Sequence, residues 1–165
     1  MNVKRKNLIK RLSVLIVVFT VFMVSTSAVS SIASIDNDTI GYSFEIVPYG
    51  KVSKYPVSRY RSTTDVNNAW KVELVNSNES SKGTRTATSF HLGVYNPNGY
   101  NPKGSGTYIA RLGSGFYYHA AYSNASKADV YLYGRDNLDT NSFSYSVSGH
   151  WDEETGQPPG AENMK

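Results

Sequence analysis

Short runs in which every second position is apolar recur along the chain. Tyr42, Phe44 and Ile46 alternate with Ser43 and Glu45, Trp70, Val72 and Leu74 with Lys71 and Glu73, and Phe90, Leu92 and Val94 with Ser89, His91 and Gly93. Tyr108, Ala110 and Leu112 follow, and three more runs lie at 115–121, 129–135 and 142–151, the last setting Phe143, Tyr145, Val147 and Gly149 against serines. Successive side chains of extended backbone point to opposite faces, so a period of two predicts strands with one face in a core. About seven such strands with polar outer positions predict an all-β fold, an antiparallel β-sandwich or open barrel. On this pattern Trp70 belongs to the core.

Turn chemistry separates the runs. Tyr-Asn-Pro-x-Gly occurs twice in succession, at 95–99 and 100–104. Proline presets φ for one turn position and glycine accepts the backbone that closes the turn, so two consecutive turns are expected. Such a loop either connects or presents Tyr95 and Tyr100 to a ligand.

The first residues follow a different pattern. Lys4, Arg5, Lys6, Lys10 and Arg11 precede the apolar run 14–24, and small residues follow to Ala33. This is the layout of a secretory signal peptide, and the run is shorter than the roughly 18 residues expected of a spanning helix. Cleavage is expected after Ala28 or Ala33, leaving a single β domain at 34–156 and a disordered tail at 157–165. The leader also changes the meaning of the charge. The whole chain carries 17 Lys+Arg against 13 Asp+Glu, but without the five leader cations the remainder stands at 12 against 13, a net charge of −1. A nucleic-acid partner is thereby disfavoured. A chain without cysteine behind a lysine-rich leader fits an exported bacterial protein, and a Gram-positive source.

Candidate chemistry is sparse. There is no cysteine nucleophile, no G-x-S-x-G elbow and no S-x-x-K set, and His91, His119 and His150 are scattered over strand positions, so no enzyme activity and no cofactor are expected. For metal, Asp136, Asp139 and Asn141 offer oxygen ligands suited to calcium, against the simpler reading of Asp and Asn capping a hairpin loop. Asp152, Glu153 and Glu154 read as a solvated acidic patch after the last strand. The segment 49–61 is the one basic aromatic stretch, with Lys51, Lys54, Arg59 and Arg61 among Tyr49, Tyr55 and Tyr60. It suits an anionic envelope polymer, or else it is an edge strand protected by its charges and Pro56. Trp151, between His150 and three acids, reads as the more exposed tryptophan and a surface for a sugar.

Several motifs occur together: Thr63-Thr64, Tyr95-Asn-Pro-Asn-Gly99, Gly113-Ser-Gly115, Gly134-Arg-Asp136, Ser146-Val-Ser-Gly149 and Trp151-Asp-Glu-Glu-Thr-Gly156. With them the chain resembles a family of small secreted proteins of Bacillales catalogued as a domain of unknown function. More distantly, a leader followed by a Tyr/Ser/Asn-rich β domain resembles the unmodified bacteriocins of the streptococcin and lactococcin 972 kind. The resemblance implies secretion and supplies no catalytic residue. The expectation is a secreted, non-enzymatic factor acting at the cell envelope, bacteriocin-like or wall-associated, with a carbohydrate-binding sandwich as the alternative and a small hydrolase behind both.

Overall fold

Nine strands and one short 3-10 turn at Ser123–Ala125 are found in the computed structural model, which describes residues 38–163 except 80–85, 139–140 and 161. The strands are β1 (Ile40–Ile46), β2 (Ser53–Arg61), β3 (Trp70–Ser77), β4 (Ala87–Val94), β5 (Tyr108–Arg111), β6 (Phe116–His119), β7 (Ala128–Asp136), β8 (Tyr145–Asp152) and β9 (Glu162–Asn163). They form two antiparallel sheets, in the orders β1-β8-β3-β6-β9 and β2-β7-β4-β5, packed as a β-sandwich. The leader, with both expected cleavage sites, lies outside the described residues. Among those described, no helix is long and apolar enough to cross a membrane.

The alternation in sequence becomes the alternation of faces. On β7, Val130, Leu132 and Gly134 are buried while Tyr131, Tyr133 and Arg135 look outward; on β8, Tyr145, Val147, Gly149 and Trp151 turn inward. Trp70, Trp151, Phe90, Ile46, Leu74 and Leu92 are almost fully enclosed, each contributing about 1.5–3 kcal/mol by leaving water. Aromatic rings fill space that leucine would otherwise occupy: Tyr42 meets Phe90 with ring centroids 5.6 Å apart, and its hydroxyl donates to the Glu73 carbonyl at 2.9 Å. That approach needs Gly149, where a Cβ would fall 2.0 Å from the same carbonyl oxygen.

Four expectations are corrected. Trp151 has no exposure; it continues the period-two series of Tyr145, Val147 and Gly149, and this outweighs its polar neighbours. Asp152, Glu153 and Glu154 are buried rather than solvated, because cations of β2 and β3 and the loop after β2 enclose them. The second Tyr-Asn-Pro-x-Gly copy is not a turn. It runs back beside β4, with Val94 N–H donating to Pro102 at 2.8 Å and Gly104 N–H to Leu92 at 2.7 Å. The described part of the tail is paired: Ala69 N–H donates to Gln157 at 2.8 Å, Gly160 N–H to Tyr118 at 3.0 Å, and β9 pairs with β6. Backbone pairing at a sheet edge requires no apolar side chain, so the pattern of the tail could not show it.

Candidate functional site

The basic aromatic stretch is an edge strand, β2, with its register broken between Lys54 and Ser58 around Pro56. Proline lacks the N–H a ladder needs, so an edge and a bulge are where it is tolerated. The break divides the stretch into halves with different fates.

In the first half, Lys54 pairs with Tyr133 of β7, which pairs in turn with His91 of β4. These outward positions floor a cleft of about 380 Å³ whose wall is the β4–β5 connection, with Tyr95, Tyr100 and Lys103. The cleft is built by identifiable contacts. A Cβ at Gly93 would lie 2.3 Å from the Tyr133 ring, so glycine lets that ring lie across β4. Tyr133 stacks on His91 with centroids 5.2 Å apart and planes 12° apart, and its hydroxyl accepts from Asn101 Nδ2 at 3.0 Å. Burial, with Lys103 and Arg135 nearby, pulls His91 down to about 4, so a neutral ring is presented near pH 7. The loop fastens itself: Asn96 N–H donates to Asn101 Oδ1 at 2.9 Å, Asn96 Nδ2 to the Tyr100 carbonyl at 3.1 Å, and Asn98 N–H to Asn96 Oδ1 at 3.0 Å. Tyr100, 81% exposed, projects from this braced turn. Lys54 Nζ sits 4.4 Å from the centre of the Tyr131 ring.

In the second half the cations are occupied. Arg59 pairs with Glu153, and the Arg61 guanidinium donates to the carbonyls of Glu153 at 3.0 Å, Asp65 at 2.8 Å and Asn68 at 2.6 Å. Glu154 accepts from Ser62 Oγ at 2.6 Å and Thr63 N–H at 2.9 Å. Burial pushes Asp152 up to about 6 and Glu153 up to about 7, despite the opposing pull of Lys71 and Arg59. Arg59 and Arg61 therefore serve the fold, not an external anion. Tyr55 packs its ring near Tyr42 and Phe44 and donates to the Gly41 carbonyl at 3.1 Å, whereas Lys51 and Tyr60 are exposed outside the cleft. Of the expected binding residues, Lys54, Tyr95 and Tyr100 are brought together. Asn96, Asn101, Lys103, Tyr133 and His91 were missed as contributors. The legible signal was Gly93 inside a strand pattern, which marks a close approach.

A second cleft of about 330 Å³ lies against β5, β6 and the segment before β9, lined by Tyr108, Tyr117, His119 and Pro159 without a charged side chain. Tyr108 stacks on His119 at 3.8 Å and Tyr117 lies parallel to the same ring at 6.3 Å. Burial pulls His119 down to about 4. His150 differs: its Nδ1 meets Glu73 Oε1 at 2.5 Å on an exposed face.

The calcium candidates behave as a hairpin cap. Asp136 accepts from Asn141 N–H at 3.2 Å and from Asn141 Nδ2 at 3.0 Å, and that amide also reaches Glu79 at 2.8 Å. Asp139 lies outside the described residues. Among the described residues no group of three or more His, Asp or Glu is placed to hold a metal ion. The chain matches no protein-family model, no curated protein and no solved structure.

Proposed function

We propose that this is an exported, non-enzymatic protein that acts at the cell envelope by holding an anionic polymer in the cleft between β2, β7 and the β4–β5 loop. The observation that carries the reading is the gathering of Lys54 and Lys103 with Tyr95, Tyr100 and Tyr133 around braced asparagines. Lysines supply point charge to phosphate or carboxylate groups, tyrosine faces take the apolar side of a polyol or sugar, and side-chain amides hydrogen-bond its hydroxyls. A surface braced before binding loses little entropy on binding. In a bacteriocin-like role this contact precedes damage to a competing cell; in a wall-associated role binding is the endpoint. Growth inhibition separates the two.

The test is binding of the purified protein to poly(glycerol phosphate) and to intact Gram-positive cells. Affinity should fall with added salt, because exposed charge is screened within about 8 Å at physiological ionic strength, and should fall several-fold in Lys54→Gln/Lys103→Gln. Binding indifferent to both would defeat the reading. The second reading, a carbohydrate-binding module, is favoured by the uncharged cleft of Tyr108, Tyr117 and His119. Competition by a neutral oligosaccharide, lost on Tyr117→Ala, would establish it instead.

A further inference from the structure

Lys71 and Asp152 face one another across the ladder between β3 and β8, as direct register partners. Both side chains are enclosed, at 8% and 0% exposure, with Nζ 3.5 Å from Oδ2. The carboxyl is fixed at one end, where Oδ1 accepts from Glu154 N–H at 3.3 Å, while Oδ2 faces the lysine. The amine lies 4.9 Å from the centre of the Phe116 ring, and Tyr118 of β6 is the opposite register partner of Lys71. An amine and a carboxyl are thus held together out of water by two strands that cannot slide without breaking the sheet.

The geometry points to an intramolecular isopeptide bond between Lys71 Nζ and Asp152 Cγ, formed once the sandwich has closed. The step needs no oxidant, reductant or further reactant. A proton passes from the ammonium to the carboxylate, giving amine and acid. The amine lone pair attacks Cγ, and Oδ2 departs as water with two of the protons, leaving one N–H and a neutral amide. Burial works in favour of this exchange. It pushes Asp152 up to about 6, towards the protonated carboxyl that amide formation requires. Holding the reacting groups together supplies the orientation that an encounter in water lacks. The product replaces two enclosed charges, which are costly to bury, by one neutral amide. Arg61, also an enclosed cation, donates to three carbonyls, and a guanidinium is a poor nucleophile for the same chemistry. The cross-link would join the second residue of β3 to the last residue of β8, restraining most of the domain as a long covalent loop.

Mass spectrometry of the purified exported protein, denatured before measurement, decides the matter. The chain should be one water lighter than its sequence requires, and protease digestion should yield one branched peptide joining the Lys71 and Asp152 segments. Lys71→Arg keeps the cation and should restore the full mass, as should Asp152→Ala. If neither variant folds, the wild-type digest still decides. A full-mass wild-type chain overturns the inference, and so does a water deficit mapped to a succinimide at Asp152 with Lys71 unmodified.

Discussion

Lys54 and Arg61 share one strand and one kind of charge, yet the molecule uses them in opposite ways. Lys54 stands in an open cleft against tyrosine rings, whereas Arg61 is enclosed, its guanidinium spread over three carbonyls. The difference is set by the carboxylates. Glu153 and Glu154 reach the end of β2 that holds Arg59 and Arg61, while the described cleft around Lys54 is lined by no acid. A basic stretch in sequence is therefore two devices, a structural clasp and a charged surface, divided at the bulge around Pro56.

The clasp should give the largest effect when broken. Arg61→Gln leaves the buried Glu153 carbonyl and two partly buried carbonyls short of donors and Glu154 without its nearby cation, and a loss of about 3 kcal/mol is expected. Urea unfolding followed by tyrosine and tryptophan fluorescence measures it. A midpoint unchanged from the parent would mean that Arg61 does not act as a clasp, and the division of β2 would fall.

Next is the platform of the cleft. Gly93→Ala places a methyl group into the Tyr133 ring, and overpacking of this kind costs about 1–3 kcal/mol. Tyr133 must then leave both His91 and Asn101, so polymer binding should fall with stability. Tyr133→Phe isolates one part: it keeps the ring and its stack but loses the hydrogen bond from Asn101, and should weaken binding while costing little stability.

Much of this was readable before folding and some was not. The strands at Trp70, Phe90 and Tyr145 follow from period two in their apolar positions, although on β3 and β4 the polar positions between them, such as Lys71, Glu73 and His91, are buried as well. Asp152 to Glu154 did not, since three acids in a row are normally solvated, and their burial depends on residues distant in sequence, Lys71 brought close by the pairing of β3 with β8, and Arg59 and Arg61 by the packing of the other sheet. The cleft was half legible. Tyr95 and Tyr100 stand in a conspicuous repeat, but Tyr133 and Lys103 join them only through the order β2-β7-β4-β5, and alternation does not reveal the order of strands. Trp151 shows that the face dictated by periodicity prevails over the polarity of neighbours.

The pH dependence of stability sharpens the same contrast, with a smaller net effect because two trends oppose. His91 and His119 are pulled down to about 4 by burial, so the unfolded chain takes up protons that the folded chain refuses. Their contribution is complete above the ordinary histidine value and is lost as pH falls towards 4. Glu153, pushed up to about 7, works the other way: its contribution is complete below the ordinary glutamate value and is lost as pH rises through 7. Asp152 adds to this second trend only in chains not joined at Lys71. In a chain joined at Lys71, two histidines stand against one glutamate and stability should rise gently between pH 4.5 and 6.5; in a chain not joined there, Asp152 makes the two trends nearly cancel. Glu153→Gln should steepen the rise and His91→Gln should flatten it. Denaturation midpoints at several pH values test the signs, and a flatter curve in Glu153→Gln would refute the assignment.

The smallest effect on stability is expected where the effect on binding should be clear. Lys54 and Lys103 are exposed; one lies over the Tyr131 ring and the other donates to Thr107 Oγ1 at 3.0 Å. An exposed cation–π contact is worth about 0.5–1 kcal/mol and an exposed hydrogen bond less. Lys54→Gln and Lys103→Gln should therefore each shift the unfolding midpoint only slightly, in contrast to Arg61→Gln. Each should nevertheless weaken binding to poly(glycerol phosphate) and reduce the steepness with which salt weakens it, because one screened charge has been removed from the contact. The test is the pair of measurements on one preparation: unfolding by urea, and binding across a salt series. A lysine variant that unfolds as easily as Arg61→Gln, or that binds with an unchanged salt dependence, would show that the two halves of β2 are not the separate devices their contacts indicate.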